Sequence, residues 1–188
     1  MSMPTIQNKL NSFAFSLICF AFVSCDLEIP EQSYNDALDL DHNADKGIFP
    51  PAFVFSPDDI SISAGSNQSV AIYALEVDSI GGAHIQVNYD KNKVQINSIT
   101  RGEWLVNQNQ QPIFFVEQNI DAGIIDIYYS ILGSDEATSG SGIAAYILFS
   151  PLSPGTSTLK ITNTTNAVTK NNQQIQLNGL GSLIVNAQ

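Results

Sequence analysis

The segment from Gly81 to Ile96, GGAHIQVNYDKNKVQI, alternates between apolar and polar residues with almost no error. Successive side chains of a β-strand point to opposite faces of the sheet. The pattern therefore predicts a half-buried strand with two different sets of side chains. The inward set comprises Ala83, Ile85, Val87 and Tyr89, and the outward set comprises His84, Gln86 and Asn88. The outward set is either a solvated surface or a binding face.

From Pro51 onward, short runs of branched and aromatic residues alternate with clusters of Gly, Pro, Asn, Asp and Ser. This spacing predicts strands joined by turns, and no apolar stripe of helical period is long enough for a substantial helix. The predicted strands are 53–56, 60–63, 69–77, 83–89, 94–100, 113–118, 124–130, 142–149, 157–162, 174–177 and 182–186. Residues 162–174 are predicted to form a loop and a short strand. The fold class is all-β, a two-sheet antiparallel sandwich rather than an α/β fold.

Residues 1–24 are interpreted as a signal peptide. Lys9 precedes the apolar run 13–24, which is shorter than the ~20 residues needed to span a bilayer and typical of a signal-peptide core. The run ends in FVSC, which resembles a bacterial lipobox with Phe22 in place of the usual Leu. Cys25 is then predicted to be the first mature residue and to carry the lipid. An ordinary secretory signal with an incidental cysteine is the alternative.

Residues 25–50 are predicted to form a lipidated, disordered acidic linker, with 51–188 as the folded domain. The segment 26–50 contains seven acidic residues against one lysine, too few apolar groups to offset its ordering entropy. Asp39, Asp41, Asn43 and Asp45 alternate as in a calcium loop. Calcium binding is disfavoured because Ala44 replaces the turn glycine and position 50 is proline.

The composition restricts the possible partners. Charged residues make up 13% of the chain and its net charge is −11. This balance argues against nucleic acid as a partner and against attraction to anionic lipid headgroups. The predicted signal peptide and the lipobox resemblance imply an exported protein in the bacterial cell envelope, at the outer membrane or cell surface. We expect it to be a monomer that contacts a membrane only through its lipid anchor.

No catalytic or metal-binding motif is present. The sequence contains only two histidines, His42 and His84, and lacks HExxH, a CxxC pair and a glycine-rich phosphate loop. We expect no enzymatic activity, catalytic residue, cofactor or metal site. Trp104 is either a platform for glycan stacking or a partly buried anchor, and the second interpretation is favoured.

Tyr128 and Tyr129 are adjacent in the predicted strand 124–130, so their side chains must face opposite sides of the sheet. Ile125 and Ile127 share the parity of Tyr129 and are predicted to be buried with it. Asp126, Tyr128 and Ser130 are then predicted to be exposed on the other face.

Several ordered motifs resemble those of cohesin domains over roughly 53–185. In the first half these are Gly82-Ala83, Tyr89-Asp90, Val94 with Ile96, and Gly102. In the second half they are AGIIDIYYSILG, SGSGIAAYILFSPLSPGTSTLKIT and the closing NNQQIQLNGLGSLIV. The resemblance implies a jelly-roll sandwich of about nine strands, related to some carbohydrate-binding modules.

Cohesins of cellulolytic bacteria bind dockerin modules through one sheet face. Carried onto this sequence, the resemblance implies a binding face of His84, Gln86, Asn88, Asp126, Tyr128, Thr158, Lys160 and Thr162. The implied function is that of a non-catalytic, lipid-anchored module that holds a dockerin-like protein, with a possible link to polysaccharide degradation. Two alternatives stay open: direct polysaccharide binding through Trp104 or Tyr128, and a structural role as an envelope spacer.

Overall fold

The computed structural model describes residue 37 and residues 39–105, 112–132 and 137–188. Cys25, the predicted signal peptide and half of the predicted linker lie outside these residues. None of the described helices is long and apolar enough to cross a membrane. The described elements are α1 (Leu40–Asp45), β1 (Ala52–Ser56), β2 (Asp59–Ile62), β3 (Gln68–Tyr89), β4 (Val94–Arg101), a 3-10 turn (Glu103–Leu105), β5 (Ile113–Asn119), β6 (Ile124–Ser130), β7 (Thr138–Pro151), β8 (Gly155–Ile161), β9 (Asn166–Thr169), β10 (Gln174–Ile175), β11 (Gly179–Leu180) and β12 (Ser182–Ala187).

The strands form two packed layers, which confirms the predicted all-β sandwich. Layer one contains β1, the first half of β3, β7 and β4, with the short β11 added beside β1. Layer two contains β5, β6, the second half of β3, β8, β12 and β2, with β9 and β10 alongside. Most pairs are antiparallel, but β1 with β11 and β12 with β2 are parallel.

Strand β3 belongs to both layers. It runs without interruption for 22 residues, whereas the sequence predicted two strands separated by a connection. The change of layer occurs at bulges between Ala74 and Ile80, where the register with β7 shifts twice. Glu76 and Ser79 there have φ angles of 44° and 52°. Bulges bend a strand and allow it to leave one sheet for the other.

The main hydrophobic core lies between the layers and follows the predicted alternation. The predicted inward set of β3 is buried, as are Ile125, Ile127 and Tyr129 of β6. They pack with large side chains from layer one, including Phe53, Phe55 and Phe149. Burial of this apolar surface supplies the main stabilisation of the sandwich.

A second hydrophobic cluster lies on the outside of layer one and consists of Ala37, Ala52, Val54 and Leu75. Ala52 and Val54 have the opposite parity to the core residues of β1, so they project away from the sandwich interior. Ile48 and Tyr73 pack against this cluster. The chain that precedes β1 therefore covers part of the outer surface of layer one.

Residues 39–50 differ from the predicted disordered linker, because they fold onto the domain. Asp39 caps α1 by accepting a hydrogen bond from the backbone N–H of His42 at 3.0 Å. Asn43 is buried and donates from Nδ2 to the carbonyl of Ala37 at 2.9 Å. The ordered unit thus begins before Pro51. The alternate acids that resembled a calcium loop occupy a helix and its cap instead.

Residues 162–174 were predicted as a loop and a short strand, and they contain β9, which pairs with β3. Ala167 of β9 is fully buried in the main core. The loop therefore contributes one strand to layer two.

Candidate functional site

All eight residues of the predicted binding face lie on the outer surface of layer two, which we call the contact face. The register of β3 with its two neighbours brings them together. Gln86 lies opposite Asp126 and His84 lies opposite Tyr128 on β6. On the other side, Asn88 lies opposite Lys160 of β8. The side chains that were predicted to point outward from β3 and β6 therefore lie on one continuous surface.

The centre of the contact face is a network of polar side chains around Asp126. The Oδ1 atom of Asp126 lies 2.6 Å from Nε2 of His84 and accepts a hydrogen bond from Nε2 of Gln86 at 2.9 Å. The Oε1 atom of Gln86 accepts from the hydroxyl of Thr162 at 2.8 Å. Each side chain fixes the orientation of the next, so the network presents a pre-organised polar surface.

Thr165 supports this network from below. Its hydroxyl accepts a hydrogen bond from the backbone N–H of Gln86 at 3.0 Å, and the residue is buried. The sequence analysis did not identify Thr165, because its role depends on the loop between β8 and β9 folding back on β3.

An aromatic strip of His84, Tyr128 and Phe115 crosses three strands of the contact face. The rings of His84 and Tyr128 stack with centroids 4.5 Å apart and an interplanar angle of 9°. Phe115 on β5 lies 6.1 Å from Tyr128 at 30° and is 57% exposed. An exposed phenylalanine beside an ordered tyrosine is typical of an interaction surface.

Phe115 was missed in the sequence analysis. Strand β5 was predicted, but two adjacent phenylalanines, Phe114 and Phe115, left its inward parity undecided. The register that places Phe115 opposite Tyr128 settles that parity, and Phe114 packs on the core.

Acidic groups surround the phenol of Tyr128. Its pKa is raised by partial desolvation first, and then by the negative charges of Asp126 and Glu117. Asp126 and Glu117 lie opposite each other on β6 and β5. Tyr128 therefore keeps its proton, and the contact face offers a neutral phenol next to carboxylates.

The remaining predicted residues lie toward the β8 and β12 side of the face. Lys160 is exposed and pairs on its far side with Ser182 of β12. Thr158 is exposed and lies opposite Ile184. The structure thus divides the predicted set into the contacting group around Asp126 and a peripheral group of Asn88, Thr158 and Lys160.

Trp104 occupies the 3-10 turn after β4, and its ring packs on Gly142. A Cβ atom added at Gly142 would lie 2.5 Å from Cδ1 of Trp104. The indole also packs against the main core and is only partly exposed. Part of the indole is therefore covered by the protein, and its role as an anchor rather than a platform for glycan stacking stays a prediction.

Within the described residues, no group of three or more His, Cys, Asp or Glu side chains could hold a metal ion. The polar groups around Asp126 are instead engaged with one another. The chemistry of the face is that of hydrogen bonding and aromatic contact.

The fold and this face define a β-sandwich interaction module. The family model for the cohesin domain matches residues 53–180, and the chain belongs to that family. Cohesin domains are non-catalytic binding modules, which agrees with the expectation of no enzymatic activity. No curated protein matches this sequence.

Solved structures share the fold at low sequence identity. A chain of a type I cohesin–dockerin complex from Clostridium thermocellum is 14% identical, with 73% of this chain and 98% of that chain covered and a TM-score of 0.60. A chain of a type II cohesin–X-dockerin complex from Acetivibrio cellulolyticus is 18% identical, with 73% and 98% covered and a TM-score of 0.60. A non-cellulosomal cohesin from the archaeon Archaeoglobus fulgidus is 15% identical, with 71% and 88% covered and a TM-score of 0.54.

Proposed function

We propose that this cohesin module is lipid-anchored in the bacterial cell envelope and holds a dockerin-like partner protein through the contact face. The observation that carries the proposal is the pre-organised group of His84, Gln86, Asp126 and Tyr128 on one open sheet surface. Two of the three similar structures described above are complexes of cohesins with dockerins.

The physical argument rests on the cost of ordering side chains at an interface. Each flexible side chain that is immobilised on binding costs about 0.5–1.5 kcal/mol. The side chains of Gln86 and Asp126 are already held by hydrogen bonds, and His84 is held by Asp126 and Tyr128. A partner would lose less entropy here than on a surface of free lysines and glutamates. Phe115 and Tyr128 supply apolar area for the interface centre.

The lipid anchor and the contact face are separate parts of the proposal. Cys25 would carry the lipid, whereas the contact face lies on β3, β6 and β8 of the folded domain. A dockerin-bearing enzyme as the partner would place polysaccharide degradation at the cell surface.

Partner binding can be tested by calorimetric titration of the full-length protein with dockerin modules encoded in the same genome. Replacing Phe115 and Tyr128 together by alanine should abolish binding. Tyr146→Ala is the matched control, because Tyr146 is a partly exposed tyrosine of layer one. Equal affinity of the wild type and the double variant would overturn the assignment of the face.

Lipidation can be tested separately. Cells that express the full chain should incorporate an alkyne-labelled fatty acid into it, and the protein should sediment with membranes. Cys25→Ser should abolish both the label and the membrane association. A labelled Cys25→Ser variant would contradict lipidation at this residue.

Direct polysaccharide binding is the second candidate, and the aromatic strip is the observation that favours it. Exposed rings in a row can stack on successive sugar units. Affinity electrophoresis in gels containing soluble polysaccharides distinguishes the candidates. Retardation that is lost in Tyr128→Ala, with no binding to any dockerin, would favour the glycan.

A further inference from the structure

Strand β5 forms one edge of layer two, because among the described strands it pairs with β6 alone. A sheet edge presents backbone N–H and C=O groups with which another strand can pair. Proteins protect such edges with short strands, bulges, lysines or prolines.

The other described sheet edges have this protection. At the edge of layer one, the register of β4 with β7 shifts once, and β4 ends in Arg101. Strand β2 has four residues and begins with Asp59, and β10 and β11 have two residues each. By contrast, β5 has seven residues in one uninterrupted register with β6, and it contains no lysine, arginine or proline. It is therefore the one long regular edge among the described strands.

The hydrogen bonds of β6 show which backbone groups of β5 face this edge. Ile131 donates to the carbonyl of Gly81, and Tyr89 donates to that of Gly123, both at 2.8 Å. Since successive residues direct these groups to opposite neighbours, the odd-numbered residues of β6 bond to β3 and the even-numbered ones to β5. The register then assigns the bonds with β6 to the odd-numbered residues of β5. The N–H and C=O groups that point to the free edge are those of Phe114, Val116 and Gln118.

We propose that two copies of this protein pair through this edge, β5 against β5, in antiparallel orientation about a two-fold axis. A row of backbone donors and acceptors is matched by another extended strand, and the side chains favour one register of the strand against its own copy. An axis at Glu117 would oppose two like charges, which is destabilising, and an axis at Val116 would oppose Phe115 to Glu117. An axis at Phe115 opposes the two Phe115 rings, and it opposes Phe114 to Val116 of the second copy.

Pairing about Phe115 brings apolar groups together on both sides of the joined sheet. On the outer side, Ile113 and Phe115 are 53% and 57% exposed. On the inner side, Phe114 and Val116 pack on the core of their own copy and meet their counterparts. Ile113 lies opposite Glu117 of the second copy, so neither carboxylate faces another. Two seven-residue strands form an interface smaller than the standard ~1,600 Å², so the dimer should be weak in solution.

This pairing does not depend on the partner of the contact face. We expected a monomer from the sequence, and the regular edge of β5, which only the structure reveals, leads to the different proposal. The dimer would join layer two of both copies into one sheet and continue the aromatic strip across the two-fold axis.

Cysteine cross-linking in cells that express the full chain tests the pairing and its register. Opposed residues that do not exchange hydrogen bonds have Cα atoms ~4.5 Å apart, a separation that a disulfide spans. Phe115→Cys should therefore form a disulfide-linked dimer after mild oxidation, seen on a non-reducing gel. Ile113→Cys and Glu117→Cys should each form little dimer alone, but they should cross-link to each other when the two chains are co-expressed.

Leu152→Cys is the matched control, because Leu152 is 49% exposed and follows β7, away from β5. The unaltered chain controls for Cys19 and Cys25. Equal amounts of dimer from Phe115→Cys and Leu152→Cys would indicate random collision and overturn the proposal. Efficient cross-linking of Ile113→Cys to itself would overturn the axis at Phe115.

Sedimentation equilibrium of the full chain, without any partner, is the second test. Salt at 0.15 M screens the net charge of −11. Phe115→Lys and Phe115→Glu each oppose like charges at the axis and should each weaken self-association about tenfold or more, whereas their mixture should restore it. His84→Ala alters the contact face but not the β5 edge, so it should leave self-association unchanged whatever its effect on a partner. A wild-type chain that stays monomeric at millimolar concentration, or a mixture no more associated than its components, would overturn the proposal.

Discussion

The imidazole of His84 is held on two sides, with the ring of Tyr128 stacked at 4.5 Å and the carboxylate of Asp126 2.6 Å from Nε2. The stack fixes the plane of the imidazole, and the carboxylate fixes its rotation within that plane. Both partners come from β6, so the orientation of His84 depends on the pairing of β3 with β6.

Removing Asp126 should loosen this arrangement. Asp126→Ala leaves both His84 and Gln86 without their shared acceptor. We expect the free energy of unfolding to fall by about 1 kcal/mol, since the pair is only partly buried. Asp121→Ala is the control, because Asp121 is fully exposed and its 3.5 Å contact with Lys91 is long.

Urea denaturation measures both variants, and ¹H–¹⁵N spectra of the imidazole report the mobility of His84. Equal stability of the two variants, with unchanged imidazole signals, would contradict the network.

Much of the sandwich could be predicted from alternation alone. Ile85 and Val87 alternate with polar residues, and this alternation predicts which side chains of the strand face the core. The position of Phe115 beside Tyr128 could not be predicted, because it depends on the register between β5 and β6 and on which of two adjacent phenylalanines turns inward. The residues of the contact face on β3, β6 and β8 were therefore predicted, but the exposed ring of Phe115 was not.

The N-terminal segment shows that overall composition can fail to predict an ordered region. Its acidic composition indicated disorder, but Ile48 packs on the outside of layer one, and the buried Asn43 donates to the carbonyl of Ala37 within the segment. The average composition of a segment does not reveal a small number of apolar residues that pack on the domain and order it. Ala52 and Val54 of β1 are apolar and point away from the sandwich interior, so another part of the chain must bury them. The ordered segment could have been predicted only from this requirement.

Truncation of Ile48 tests whether this segment contributes to stability. Ile48 is partly buried against the second cluster, so Ile48→Ala should cost about 1–2 kcal/mol, less than a fully buried isoleucine. Phe49→Ala is the control because Phe49 is 53% exposed, and it should change stability by less than about 0.5 kcal/mol. Chemical denaturation distinguishes them. A disordered linker would give no difference between the two variants.

The contact between Gly142 and Trp104 predicts that Gly142→Ala destabilises the protein only when the tryptophan side chain is present. Gly142→Ala places a methyl group 2.5 Å from the indole, so the ring must shift, and we expect a loss of about 1–3 kcal/mol. Because Trp104 is the only tryptophan, its fluorescence maximum reports the shift directly. In a Trp104→Gly background, which also removes the Cβ atom 2.7 Å from the added methyl, the added methyl should cost much less. If Gly142→Ala lowered the free energy of unfolding by the same amount in that background, the loss would come from the backbone at residue 142 and not from the indole.

Tyr129 predicts how stability changes at alkaline pH. Burial raises its pKa well above 10.0, whereas in the unfolded chain the phenol titrates near ~10. The folded state therefore binds more protons above that pH, and stability falls as the pH rises from the unfolded toward the folded pKa, by at most about 1.4 kcal/mol per pH unit. Tyr129→Phe should remove this part of the slope. Tyr128→Phe, at an exposed position that keeps its stacked ring, should change the slope far less. Urea midpoints at pH 8, 10 and 11 would decide, and equal slopes in the wild type and Tyr129→Phe would show that the buried phenol is not the titrating group.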